Sequence, residues 1–143
     1  MKSISLLTLV FILATSGLAM AERLSVSSSI ANIRSGPGTT YEILWKVENY
    51  YPIQVIKKSG SWINFRDFEG DEGWIHTSLV DENPTVITIK DTCNVRTGPG
   101  TDHDVIFTVE KGIPFLILDR QKSWIHIQHA DGDRGWIHKS LVW

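Results

Sequence analysis

The sequence predicts an all-β chain made of two tandem copies of one small barrel. Three observations predict it. Asn32-Ile33-Arg34-Ser35-Gly36-Pro37-Gly38-Thr39 returns 62 residues later as Asn94-Val95-Arg96-Thr97-Gly98-Pro99-Gly100-Thr101, and Gly73-Trp74-Ile75-His76-Thr77-Ser78-Leu79-Val80 returns at the same spacing as Gly135-Trp136-Ile137-His138-Lys139-Ser140-Leu141-Val142. Between these blocks, short runs alternate apolar and polar residues, the period of a strand. Glycine, proline and aspartate separate the runs at regular intervals, and no segment sustains a helical period.

The first element is an export signal over residues 1–21. Lys2 supplies the positive start, residues 4–14 are apolar apart from Ser5 and Thr8, and Ala19-Met20-Ala21 is a small-x-small cleavage site. Spanning a bilayer takes about 20 apolar residues, more than this run holds. The expected mature chain begins at Glu22, is periplasmic or secreted, and has no stable membrane insertion after cleavage. The two modules are expected at 22–81 and 82–143.

Within each module the elements follow in one order. Leu24-Ser25-Val26 opens the first copy and residues 86–90 the second, as strands. The Gly-Pro-Gly triplets at 36–38 and 98–100 predict type II turns, with Gly38 and Gly100 at positive φ. Ile43, Trp45 and Val47, and likewise Val105, Phe107 and Val109, predict one buried strand face. Pro52 and Pro114 each head a strand, where proline costs no central ladder bond. Strands starting at Trp62 and Trp124 come next, then glycine hairpins at 69–73 and 131–135. The return strands carry Trp74-Ile75 and Trp136-Ile137, with both tryptophans expected in the core. A 3₁₀ turn at Ser78 or Ser140 precedes the closing Leu-Val pair. The linker Asp81-Glu82-Asn83-Pro84-Thr85 is short and holds proline, so it restricts the relative orientation of the copies.

Composition bounds the function. The formal net charge is −2 and no basic cluster marks a nucleic-acid footprint. Modules of roughly 60 residues sit near the lower limit for a self-sufficient core. The six tryptophans are expected to help fill it. Cys93 is the only cysteine, so it forms no internal disulfide. Its counterpart is Ala31, which reads as a small buried slot rather than a reactive thiol.

The ordered set of Asn-Ile/Val-Arg-x-Gly-Pro-Gly-Thr, an apolar arm, Trp-Ile-x-Ile/Phe, Gly-Trp-Ile and Ser-Leu-Val resembles the bacterial SH3 domain (SH3b). The resemblance covers nearly the whole mature chain. It implies two SH3-like half-open barrels, each with five or six short strands and a long loop, the RT loop, between the first two. It also implies an exported accessory module, since some members bind peptidoglycan peptides or cross-bridges beside a wall hydrolase. The Cys-His hydrolase domain often found with SH3b has no counterpart in these residues, so the expectation is a non-catalytic protein. Fold is implied more firmly than function.

Candidate ligand-binding residues follow from position. Asn32 and Arg34, like Asn94 and Arg96, lie two apart and share a strand face. Arg offers a forked donor to a carboxylate or carbonyl. It could instead lie across a tryptophan, as Asn could bond nearby backbone. Trp62 and Trp124 could form a shallow floor for a peptide or glycan, or cap the core. Tyr41, Tyr50 and Tyr51 correspond to His103, Gly112 and Ile113 in the other copy, so the first module is richer in exposed-type aromatics and is the favoured binder if only one module binds. Zinc is not expected from His76, His138, His103, His126 and His129, which lack a four-ligand set. Asp131-Gly132-Asp133 does not fit a calcium loop. No nucleophile–base–orienter set recurs, so no enzyme and no cofactor are expected. The expected partner is a peptide-like ligand, cell-wall peptide first. The rival reading is a structural or adaptor protein docking on another exported protein. Trp143 faces Asp81 in the other copy, and its role is expected at the second barrel or the junction.

Overall fold

The computed structural model describes residues 21–143, and the export-signal reading falls, apart from Ala21, on residues outside those described. Two antiparallel sheets follow one another in the chain. The first contains β1 (Arg23–Val26), β2 (Ile30–Arg34), β3 (Ile43–Glu48), β4 (Pro52–Ser59), β5 (Trp62–Arg66), β6 (Glu72–His76) and β7 (Val80–Asp81), in the order β3-β2-β6-β5-β4-β1-β7. The second contains β8 (Thr85–Ile87), β9 (Cys93–Arg96), β10 (Val105–Val109), β11 (Pro114–Gln121), β12 (Trp124–Gln128) and β13 (Arg134–His138), in the order β10-β9-β13-β12-β11-β8. The repeat reaches single backbone pairings. Val26 pairs with Val80 in the first copy and Thr88 bridges Val142 in the second. Val55 donates to the Glu22 carbonyl, and Ile117 donates to that of Pro84.

The cores are aliphatic. Ile33, Ile53, Ile63, Phe65 and Ile75 are sealed in the first; Val95, Phe115, Ile127 and Ile137 are sealed in the second. Here the tryptophan expectation is corrected. Among the six, only Trp45 and Trp143 pack against a core, and both pack against the first. Trp74 and Trp136 are half-buried on the outer face, because strand alternation turns Ile75 and Ile137 inward and their neighbours outward. Gly73 and Gly135 are the inward residues just before them. A Cβ at Gly73 would stand 2.3 Å from Ile33 Cγ2, and one at Gly135 would stand 2.4 Å from Val95 Cγ1. The Gly-Trp-Ile motif therefore needs glycine so that β6 and β13 can close on the core.

Two further expectations change. Ile43 and Val105 are exposed, because bulges between Ile33 and Arg34, and between Val105 and Phe107, break the alternation at those strand ends. Gly38 and Gly100 are not among the positive-φ residues. Instead the Gly38 N–H bonds the Gly36 carbonyl at 2.9 Å, and Gly100 bonds Gly98 at 3.0 Å, closing three-residue turns centred on proline.

The copies meet around Trp143 and Ile87. Trp143 exchanges backbone hydrogen bonds with Ile87 at 2.9 and 3.1 Å and packs on the first core. Ile87 itself is fully buried in that first core. The Arg23 guanidinium lies 4.1 Å from the Trp143 ring centre and donates to the carbonyls of Trp143 and Thr85 at 3.1 and 3.3 Å. Lys111 and Glu69 pair across the copies at 3.6 Å.

Candidate functional site

The site begins with an arginine whose side chain holds a loop. In β2, alternation sends Ala31 and Ile33 inward and leaves Asn32 and Arg34 on the other face. Arg34 Nη1 donates to the carbonyls of Thr39 and Tyr41, both at 3.0 Å. Arg96 repeats this with Thr101 and His103 at 3.2 and 3.0 Å. Both arginines thus clamp the loop that follows their own strand. The alternatives of stacking on tryptophan or reaching a ligand alone do not account for these bonds.

The clamped loop folds its aromatic residue over the first glycine. A Cβ at Gly36 would lie 2.3 Å from the Tyr41 ring, and one at Gly98 would lie 2.5 Å from the His103 ring. That close approach is why the Gly-Pro-Gly triplet begins with glycine. Tyr41 and His103 remain solvent-exposed on their outer faces.

Next to Arg34, a cleft of about 280 Å³ is lined by Asn32, Arg34, Thr39, Trp62, His76 and Leu79. Trp62 meets the His76 ring edge-on at 5.2 Å. His76 Nδ1 accepts from the Ser78 backbone N–H at 3.1 Å and lies 2.7 Å from the Ser78 hydroxyl, which fixes the ring over the 3₁₀ turn (Thr77–Leu79). The second copy repeats this: Trp124 and His138 are 5.2 Å apart, and His138 Nδ1 accepts from the Ser140 backbone N–H at 3.2 Å. Its open surface lies beside Trp124, between Pro99 and residues 121–123. Asn94 stands exposed next to Arg96 on β9. Neither Trp62 nor Trp124 packs against a core, so both keep a face for the cleft.

The three tyrosines separate. Tyr41 stays on the loop surface, whereas Tyr51 is a correction: it is buried, and its hydroxyl donates to Asp67 Oδ2 at 2.8 Å. Burial and the Asp67 carboxylate raise its pKa far above the usual tyrosine range. Asp67 Oδ1 also accepts the backbone N–H groups of Glu69 and Asp71, both at 3.0 Å, so Tyr51 anchors the hairpin and offers nothing to solvent. Tyr50 is half-buried with φ of 70°, where its counterpart Gly112 has φ of 85°. A left-handed backbone costs a non-glycine residue roughly 1–2 kcal/mol. Tyr50 therefore carries strain that the second copy avoids. The tyrosine-rich appearance of the first copy thus leaves one fully surface tyrosine, Tyr41.

Sequence reasoning missed His76 and His138 as cleft walls. The recurring His-x-Ser in both copies was the available signal. His126 stacks flat on Trp136, 4.7 Å apart at 8°, and His129 meets Phe115 edge-on. Among the described residues, no group of three or more His, Cys, Asp or Glu could hold a metal ion. Cys93 is fully buried, with its Sγ 3.5 Å from the Lys90 carbonyl, and burial raises its pKa away from the reactive thiolate.

The family model for the bacterial SH3 domain matches residues 27–82 and again 90–143. The chain belongs to that family. Among relatives of these tandem SH3b domains, YrvJ of Bacillus subtilis is provisionally named an N-acetylmuramoyl-L-alanine amidase. It is 27% identical over 128 residues, covering 82% of this chain and 24% of its own length. LytH of Staphylococcus epidermidis, provisionally named a cell wall amidase, is 41% identical over 61 residues, covering 42% of this chain and 21% of its own. The chain thus spans less than a quarter of either relative. A solved NlpC/P60 family protein from Bacillus cereus aligns over 85% of this chain and 56% of its own, at 13% identity and a TM-score of 0.40.

Proposed function

We propose that this SH3b pair is a non-catalytic binding module of the cell envelope that recognises a peptide-like ligand, peptidoglycan peptide first. One observation carries the reading. Asn32, Arg34, Trp62 and His76 return residue for residue as Asn94, Arg96, Trp124 and His138, with the same carbonyl clamp and the same edge-on Trp–His contact. The tryptophans and asparagines line surface, not core, which suits an extended peptide crossing an aromatic wall. The cell-wall names given to its relatives support peptidoglycan as the ligand class and the envelope as location.

Co-sedimentation with purified wall sacculi tests it. Retention is expected for the chain from Glu22, with losses of about tenfold for Trp62→Ala and Trp124→Ala, the effect of a buried aromatic anchor. Unchanged far-ultraviolet spectra would show the variants remain folded. Failure to sediment with sacculi, together with capture of one discrete envelope protein, would overturn the reading in favour of an adaptor.

A further inference from the structure

The junction between the copies holds a cleft of about 410 Å³ lined by residues of both. Three cations face it, Arg23 from the first copy and Arg120 and Lys139 from the second, against one acid, Glu82. Apolar residues, Ile117, Val142 and Trp143 among them, make up most of the remaining wall, with Asn83 and Thr85 as polar members. In a chain of net charge −2, that local surplus of positive charge is unusual.

Comparing the copies shows how the surplus arose. Arg120 corresponds to Lys58, which pairs with Glu22 at 3.2 Å. The residue corresponding to Glu22 is Pro84, so the second copy keeps the cation and has no acid in that place. Lys139 corresponds to Thr77, a cation added only in the second copy. None of the three forms a salt bridge among the described residues. Arg23 is fixed by Trp143 and by two carbonyls on Nη2, which leaves the Nη1 and Nε hydrogens for another acceptor. Burial and repulsion by Arg120 both work against its charge, a cost that an anion in the cleft would offset.

We propose that the inter-module cleft binds the C-terminal carboxylate of a peptide, with Arg23, Arg120 and Lys139 as its donors and the terminal aliphatic side chain lying on Trp143, Ile117 and Val142. The lining supplies both parts of such a terminus, with forked and point-charge donors and apolar side chains in one cleft. The complete donor set takes both modules, since Arg23 comes from the first copy and Arg120 and Lys139 from the second. The site is separate from the Asn–Arg–Trp clefts and does not rest on the wall-peptide reading.

The probe is acetyl-alanyl-leucine with a free carboxylate, titrated against the chain from Glu22 and followed by the Trp143 indole resonance. Saturation near or below about 1 mM is expected, with the C-terminal amide weaker by about tenfold or more, as for loss of a charge-assisted hydrogen bond. Arg120→Gln with Lys139→Thr should weaken binding by a similar factor without lowering the melting temperature, because both side chains are exposed and the loss of Arg120 relieves repulsion on Arg23. Equal binding of acid and amide, no saturation by about 10 mM, or parent-like affinity in the double variant would overturn the proposal. Inorganic phosphate binding as tightly as the dipeptide would also overturn it, since the apolar wall would then contribute nothing.

Discussion

At the scale of single residues, the two copies expose where the backbone is strained. The turn between β4 and β5 needs positive φ at its first central position, and Gly60 adopts 57°. Its counterpart Lys122 adopts 53° without the freedom of glycine. The roles reverse at the end of the long loop, where Tyr50 is strained and Gly112 is not. Lys122→Gly should therefore raise stability by about 1 kcal/mol, and Gly60→Lys should lower it by a similar amount. Urea unfolding of both variants checks this. An unchanged or lower midpoint for Lys122→Gly would show that the lysine side chain stabilises the turn by more than its backbone costs. Tyr50 is half-buried, so the same exchange there would mix strain relief with lost packing.

At the scale of elements, the long loop of each copy is held by one side chain. Arg34 supplies two hydrogen bonds to carbonyls 5 and 7 residues ahead, and Tyr41 lies over Gly36 as a lid. Arg34→Ala removes both bonds and is expected to cost about 1–3 kcal/mol. The loop should open before the barrel does. Amide hydrogen exchange over residues 35–42 should accelerate by at least about tenfold while the amides of β5 stay protected. Equal acceleration in β5 would mean that the loop and the barrel open as one unit. If Asn32 and Trp62 contact a peptide, the same substitution weakens binding by releasing the loop that shapes one side of the cleft.

At the scale of the whole molecule, the pair is more than two beads on a linker. Ile87 of the second copy is sealed in the first core, and Trp143 packs on that core while pairing with Ile87. Arg23 stacks on the same ring from the first copy. Trp143→Ala should destabilise the protein by about 3 kcal/mol, the lower end for tryptophan truncation because the ring is only partly buried. Calorimetry should show the first module's transition moving down and separating from the second. A loss confined to the second module would contradict this placement of Trp143.

The sequence by itself determined the fold, since its repeat is written in residues that act locally. Period-two alternation sets the strands, and glycine is the only residue that fits beneath Tyr41, His103, Ile33 and Val95. Which aromatic faces solvent was not legible in the same way. Trp74 and Trp136 looked like core because tryptophan is apolar, yet strand parity turned them out. Tyr51 looked like surface because it is a loop tyrosine, yet Asp67, 16 residues away, supplied the acceptor that let it be buried. The junction was least legible of all. Arg23, Ile87 and Trp143 are far apart in the chain, and only the packing of one barrel against the other makes them neighbours. Local chemistry can be read along a chain; the partner that satisfies a side chain from a distance is chosen by tertiary structure.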